Sequence, residues 1–440
     1  MTRPQSIGIR RQLNTLLPPE ELERLARQSG LVRRRRKVDP RAMLWTLTLG
    51  FDAGRTRSLA ALRRVYQRVT GTVLASSSFH ARFTPELVRF LRAVLDRLIE
   101  RQCSTLGNAG GSGLLAPFAD VVLADGSVLR LHRLLARHYP GTRTNSSPAA
   151  AKLHLVIGVV GKGIRRVKLT AERGSERAAL RVGPWVQDRL LIFDLGYFRY
   201  QLFDCIARNG GYFLTRLSGS ANPRIVAVHR RWRGRALELE GKRLRQIATV
   251  LRREELDVEV EVSFKRRAYN GRRRTACRRF RLVGVRDLEG GAYRFYLTNI
   301  APDTLDAQAI AQAYSARWLV ELAFREMKSH YRLGSMPSRK PAVVEALVLA
   351  SLITMMLSRE LLEAVRRRMK DKARRLREER WASLLASVAT DVLDVVMLPA
   401  RVAGTLARRL EPMLLYEAID PNARRLSLQQ RVDQEAVWSR

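Results

Sequence analysis

Three acidic residues stand out by the segments that carry them. Asp125 follows the apolar run Val121–Ala124 in VVLADGS, and Asp194 follows Leu190–Phe193 in LLIFDLGY. Each is expected just beyond the end of a strand, facing the cleft in which active sites form. A glycine one or two residues on would let the backbone turn sharply there. Taken singly, either aspartate reads as well as a turn or cap residue, and two copies of the arrangement ask for a third carboxylate. Glu321 supplies it, in YSARWLVELAFREMK (314–328). On one continuous helix from Asp306, Tyr314, Arg317 and Lys328 lie at about +20°, −40° and −20° from Glu321, at about 100° per residue. A phenol and two cations then flank a carboxylate on one narrow stripe, which suits a hard divalent cation and the phosphates it activates. Glu326 falls about 140° away and is expected to point outward or to support the site from behind. The competing reading is a solvated helix face with Arg317 and Glu321 as an i, i+4 ion pair.

Other candidate ligands do not gather. The six His (80, 132, 138, 154, 229 and 330) show no pairing at helical spacing. Cys103, Cys205 and Cys277 match neither a zinc pattern nor a disulfide framework. A metal is therefore expected on carboxylates, which favours Mg²⁺ or Mn²⁺ over zinc. The thiols are read as reduced, in a cytoplasmic protein. The chain carries 81 Lys+Arg against 41 Asp+Glu, a formal net charge of +40. Its natural counter-ion is a polyanion. Because the basic residues run through folded-looking segments, nucleic acid is the preferred reading over ribosomal or membrane-surface alternatives. The apolar run Ala346–Leu357 is read as a buried helix, too short to span a bilayer. The N-terminal MTRPQSIGIRRQ has no apolar stretch after its charges, so no signal peptide is expected.

The positioning elements divide into five regions. Residues 1–112 read as a helical DNA-binding region. Pro18-Pro19-Glu20-Glu21 opens one helix, Ser58 caps LAALRRVYQRV, Gly71 breaks it, and Ser76–Phe83 opens another that ends in ELVRFLRAVLDRLIER. Short helices about a Gly-containing turn, with the basic run Arg33–Lys37 nearby, suit a helix-turn-helix-like DNA contact or, equally, a plain helical bundle. Asn108–Gly113 reads as a flexible joint. Residues 113–218 read as three strands, a helix, the strand ending at Asp194, the helix QLFDCIAR and the strand GYFLTRL. That order fits an α/β mixed sheet covered by helices, as in the ribonuclease-H-like fold. Residues 219–300 read as a β-rich insertion whose hairpin at Tyr269-Asn270-Gly271 carries Arg272, Arg273 and Arg274 as a DNA-backbone surface. Residues 301–340 hold the Glu321 helix and complete the core, and 341–440 form a helical C-terminal region.

D-G-S at 125–127, D-x-G-Y at 194–197 and Y-x2-R-x3-E-x6-K at 314–328 together resemble the bacterial insertion-sequence DDE transposases of the Y-R-E-K signature. Lys152-Leu153-His154, Leu297-Thr298-Asn299 and Ala316-Arg317-Trp318 support the match, which covers roughly residues 118–340. The resemblance implies that Asp125, Asp194 and Glu321 bind two Mg²⁺ ions, for which Mn²⁺ substitutes. Tyr314, Arg317 and Lys328 would contact DNA phosphates at the cut end. The implied activity is strand cleavage at transposon ends followed by strand transfer into target DNA, both in-line displacements at phosphorus. Water attacks first and a 3′-hydroxyl second, so Tyr314 is not read as a nucleophile. The implied partners are double-stranded DNA (terminal inverted repeats and target) and a second copy of the chain, forming a homodimer on two ends near the nucleoid. Trp318 and Trp232 are candidates to stack on a flipped base, with a core position as the competing reading for Trp318. The alternatives are a nuclease of the same fold that does not join, and a catalytically dead DNA-binding relative.

Overall fold

The structure is a computed structural model that describes residues 8–33, 39–51, 57–105, 113–143, 147–159, 163–174, 180–229, 238–249, 251, 253–266, 274–287, 291–333, 338–369 and 375–421. The basic run beyond Arg33, the joint at 108–112, Trp232 and the hairpin tip with Arg272 and Arg273 lie outside these residues.

Helices come first: α1 (Ile9–Leu16), α2 (Pro19–Gln28), α3 (Pro40–Leu49), α4 (Leu59–Thr70), α5 (Ser76–His80) and α6 (Pro85–Thr105). Pro19, Glu20 and Glu21 occupy the first turn of α2, where a missing N–H and negative charge suit the helix N-terminus. Ser58 caps α4 by accepting from the Ala61 N–H at 3.2 Å, and Gly71 ends it in the left-handed conformation at φ 68°. The single helix expected from Ser76 is two. Pro85 opens α6, and a proline disfavours helical backbone in the residue before it.

The strands β1 (Asp120–Arg130), β2 (Pro140–Arg143), β3 (Ser147–Gly158), β4 (Gly163–Ala171), β5 (Arg189–Phe193), β6 (Tyr212–Arg216), β7 (Arg224–Val228), β8 (Glu255–Lys265), β9 (Thr275–Arg286) and β10 (Tyr293–Thr298) form one sheet. Its order is β2-β3-β1-β5-β6-β10-β9-β8-β7, with β4 also on β3. β1 runs antiparallel to β3 and parallel to β5, and β5 runs parallel to β6. The helix expected between β4 and β5 falls on a segment whose residues 175–179 lie outside the described ones, and what is described there is a 3₁₀ turn, Pro184–Val186. The β-rich stretch joins the same sheet. β10 returns to pair with β6, and Val258, Val260 and Val262 of β8 continue the apolar face that Leu191 and Phe213 begin.

Alternation along the strands feeds two cores. Val121 and Leu123 of β1 face one, Val122 and Ala124 the other. On the second face lie α7 (Tyr200–Arg208) and α8 (Leu244–Ala248), with Phe203 stacked on Phe213 at 4.4 Å. The first face is covered by α1–α6 together with α9 (Ala307–Ser315), α10 (Trp318–Ser329), α11 (Pro341–Met369), α12 (Glu378–Ser387), α13 (Ala389–Met397) and α14 (Ala400–Glu417). α11 is longer than its apolar run suggested and is long and apolar enough to cross a membrane, yet 83% of its apolar window is buried in the fold. It packs on α3, α6 and α10.

The two helical ends of the chain interlock. The Gly8 and Ile9 N–H groups donate to the Glu411 carboxylate at 2.9 and 3.3 Å, and Arg68 pairs with Asp394 at 2.5 Å. Arg57, buried and with its pKa pulled down to about 9 by that burial, donates to the Ser351 hydroxyl and the Thr48 carbonyl. Glu411→Ala removes the acceptor for the start of α1. It should cost about 2 kcal/mol, since hydrogen bonds to a charged group contribute roughly 1.5–3 kcal/mol. Limited trypsin digestion should then cut first after Arg10 or Arg11. Digestion unchanged from the parent would show that α1 is held by packing alone.

Candidate active site

The sheet register builds the site. Ala124 pairs with Phe193, and Phe193 with Thr215, across three parallel strands. One step further along those strands come Asp125, Asp194 and Arg216, and Arg216 in turn pairs with Tyr296 of β10. By the alternation of side chains, Asp125 shares the face of Leu123, and Asp194 the face of Leu190 and Ile192, which is the face packed beneath the helices. A carboxylate pair, a guanidinium and a phenol thus follow one another across one row of one face.

The local backbone differs from expectation. β1 does not stop at Asp125 but runs on to Arg130, and what ends there is only the parallel pairing with β5. Gly126 serves close approach and not a sharp turn. It lies opposite His154, and an added Cβ would meet the His154 and Lys152 side chains at 3.3 Å. β5 does end at Phe193, and a 3₁₀ turn, Leu195–Tyr197, starts directly after Asp194. The Asp194 side chain makes no cap bond to that turn, and among the described residues Asp125 accepts only from the N–H of its own neighbour Gly126, at 2.7 Å. The turn-or-cap reading therefore accounts for neither.

Glu321 arrives on a segment that is firmly anchored. Arg281 of β9 grips Asp257 with two bonds of 2.8 and 2.6 Å and donates to the Leu305 carbonyl at 2.6 Å. The side chains of Thr298 and Asn299 bond the backbone of Phe213 and Gly211, fixing β10 to β6. Asp306 then caps α9 through the Ala309 N–H at 2.7 Å. The expected single helix is two, because the chain tightens between α9 and α10. Arg317 N–H bonds the Tyr314 carbonyl and Leu319 N–H the Ala316 carbonyl, both i to i−3. In such a 3₁₀ turn residues three apart eclipse. Tyr314 and Arg317 consequently stack, with the guanidinium 5.9 Å from the ring centre. Tyr314 turns inward, 9% exposed, against Tyr296 at 5.2 Å. Among the described residues its buried hydroxyl has no hydrogen-bond partner, and burial pushes its pKa up to about 12.

Charge is crowded here. Burial, reinforced by Asp194 and Glu321, pushes Asp125 up to about 6 against the pull of the Gly126 N–H and Arg317. Arg317 pairs with Glu321 at 2.6 Å and is held protonated by Glu321, Tyr314 and Asp194 against its own burial. The i, i+4 ion pair of the competing reading is thus present. Lys328, half-buried, is lowered by desolvation and has no hydrogen bond or ion pair among the described residues. An all-carboxylate donor set under mutual repulsion fits a hard divalent cation in its chemistry. Among the described residues, however, no three acidic, His or Cys side chains converge closely enough to enclose one.

The remaining candidates separate. Trp318 is not a core residue. It is 44% exposed at the start of α10, with the Arg325 guanidinium 5.7 Å from its ring. Arg274 is exposed at the base of the β8–β9 hairpin, away from the carboxylate row. Glu326 does not point outward. It is 5% exposed, ion-paired with Arg359 of α11 and 2.9 Å from the Tyr331 hydroxyl. Arg216 and Tyr296 were not singled out from sequence. The signal for them was the register, which carries the rung of the two aspartates on to the end of GYFLTR.

The sequence profile described as the transposase DDE domain matches residues 116–357, more than half the chain and the whole of this row and its helices. The chain belongs to the DDE transposases. The transposase is 22% identical over 399 residues to the transposase for insertion sequence element IS231B of Bacillus thuringiensis subsp. berliner, covering 82% of this chain and 80% of that one. It is 19% identical over 366 residues to the transposase for IS1151 of Clostridium perfringens, covering 77% of each. A piggyBac transposase synaptic complex with hairpin DNA aligns with 99% of the transposase and 89% of that chain, at 11% identity and a TM-score of 0.48.

Glu326→Gln leaves every carboxylate of the row in place but breaks a buried pair. It should lower stability by about 3 kcal/mol, the low end for such a loss because Arg359 keeps Glu378 at 3.7 Å. DNA cleavage measured well below the melting temperature should fall only a fewfold. Loss of cleavage with melting unchanged would place Glu326 in the chemistry instead.

Proposed function

We propose that this transposase cuts and joins DNA with Asp125, Asp194 and Glu321 as the ligands of Mg²⁺, two ions in all, with Mn²⁺ able to substitute. The observation that carries the proposal is the register that sets Asp125 beside Asp194 on the face covered by the Glu321 helix. When bound, the ions activate the attacking oxygen and stabilise the leaving one. The rest falls to the chain's own residues. Arg317 and Lys328 hold phosphate oxygens, and the unpartnered Tyr314 hydroxyl donates to one. Desolvation around this row strengthens each contact. The exposed Trp318 ring, on the same helix as Glu321, offers a surface on which a base can stack. Arg274 at the hairpin base adds a contact to the DNA backbone outside the row. We further propose terminal inverted repeats and target DNA as the substrates, and a homodimer as the unit that pairs two ends.

Asp125→Asn, Asp194→Asn and Glu321→Gln should each lower strand cleavage by about a thousandfold or more, the several kcal/mol expected of metal assistance, with DNA binding retained. Any one of them cutting at the parental rate would remove that residue from the site. With Mg²⁺, a labelled end fragment and a supercoiled plasmid, joining of the labelled 3′ end separates a transposase from a nuclease of the same fold. Tyr314→Phe should move stability and activity in opposite directions. Removing an unpartnered buried hydroxyl stabilises by about 1 kcal/mol, while cleavage falls about tenfold through the lost phosphate bond, about 1.4 kcal/mol. A variant that is both less stable and fully active would show that the hydroxyl serves packing only.

A further inference from the structure

Arg317 occupies an unusual position among the acids. Its guanidinium pairs with Glu321 at 2.6 Å, with the two side chains 19% and 30% exposed. Its charge also acts on Asp194 and on Asp125. One cation therefore serves all three carboxylates that the proposed function assigns to metal, and it sits on the 3₁₀ turn that joins α9 to α10. The same guanidinium lies over the Tyr314 ring, whose unpartnered hydroxyl is buried close by.

We propose that Arg317 is an internal counter-ion that keeps Glu321 from the metal until a DNA phosphate takes its place, so that DNA and metal bind cooperatively. This rests on the metal-site reading above. The electrostatics run in one direction. While the ion pair stands, a divalent cation arriving at Asp125 and Asp194 meets a positive guanidinium and finds Glu321 engaged. A phosphate beside Tyr314 gives that guanidinium a second anion, with planar two-point geometry that favours it. Glu321 is then released toward the aspartates. The turn at Ala316–Arg317 lets the guanidinium change partners while α10 stays pinned by Glu326 and Arg359. By linkage, the factor by which DNA raises metal affinity equals the factor by which metal raises DNA affinity. Arg317 is in this account a positioning residue for the metal as well as a phosphate ligand.

The test is Mn²⁺ titration of the full chain, followed by the electron paramagnetic resonance of the unbound ion, with and without a duplex of the DNA flanking the reading frame. The parent should bind Mn²⁺ about tenfold more tightly with DNA than without it, within the usual range of such couplings. Arg317→Gln should bind Mn²⁺ about tenfold more tightly than the parent in the absence of DNA, and gain less than about twofold on adding DNA, since the coupling is removed at its source. Arg317→Lys, which keeps the charge but loses the fork, should lie between the two and serves if the glutamine variant does not fold. Unchanged or weaker Mn²⁺ binding by these variants without DNA, or an equal gain from DNA in parent and variant, overturns the proposal. Asp125→Asn is the control. If it abolishes Mn²⁺ binding while Arg317→Gln changes nothing, the metal site stands and the counter-ion role alone fails. If it leaves Mn²⁺ binding intact, the metal-site reading fails with it.

Discussion

Two aspartates on adjacent parallel strands, one step past Ala124 and Phe193, are an expensive arrangement. Backbone pairing holds their Cα atoms close, neither side chain is spent on a cap, and burial denies them full hydration. Burial first, and then the neighbouring Asp194, lift Asp125 to about 6, the direction in which a crowded carboxylate takes up a proton. Everything around the row answers the same repulsion. The cation that acts on Asp125 is Arg317, and the rung can hold its shape only because apolar strands on either side fix the register. A one-residue slip of β1 or β5 would turn an aspartate to the opposite face.

The supports are themselves buried polar groups. Arg281 fastens the approach to α9, Thr298 and Asn299 tie β10 to β6, and Glu326 with Arg359 fixes α10 to α11. Each is satisfied by several partners, which is the condition under which buried polar groups are tolerable. Tyr314 differs from these supports: among the described residues its hydroxyl has no hydrogen-bond partner, and it sits at the junction of the row and the helix, beside the place where the substrate is proposed to lie.

Much of this was legible from the chain, for identifiable reasons. Apolar runs ahead of Asp125 and Asp194 locate strands because buried parallel strands are apolar on both faces. Ser58, Gly71 and Asp306 mark helix ends because their chemistry there is local. What sequence spacing missed was non-local. Nothing near Glu326 announces Arg359, so its burial was hidden. The arithmetic of one continuous helix held from Glu321 to Lys328 but failed across Ala316, where four backbone bonds run i to i−3. That β10 would return to β6 depends on Asn299 reaching Gly211, 88 residues away, which no periodicity reveals.

The interlocking of the chain's two ends has a temporal consequence. The start of α1 is completed by Glu411, 403 residues later, and Arg68 of α4 by Asp394. At roughly 5–20 residues per second, synthesis leaves the first helices waiting tens of seconds for these partners, their apolar faces uncovered. A ribosome that stops early, whether from a frameshift or a broken message, releases a chain whose opening helices have nothing to close on. Translation must reach α14, the last helix among the described residues, before α1 has the acceptor that completes it, so a copy truncated earlier lacks that partner.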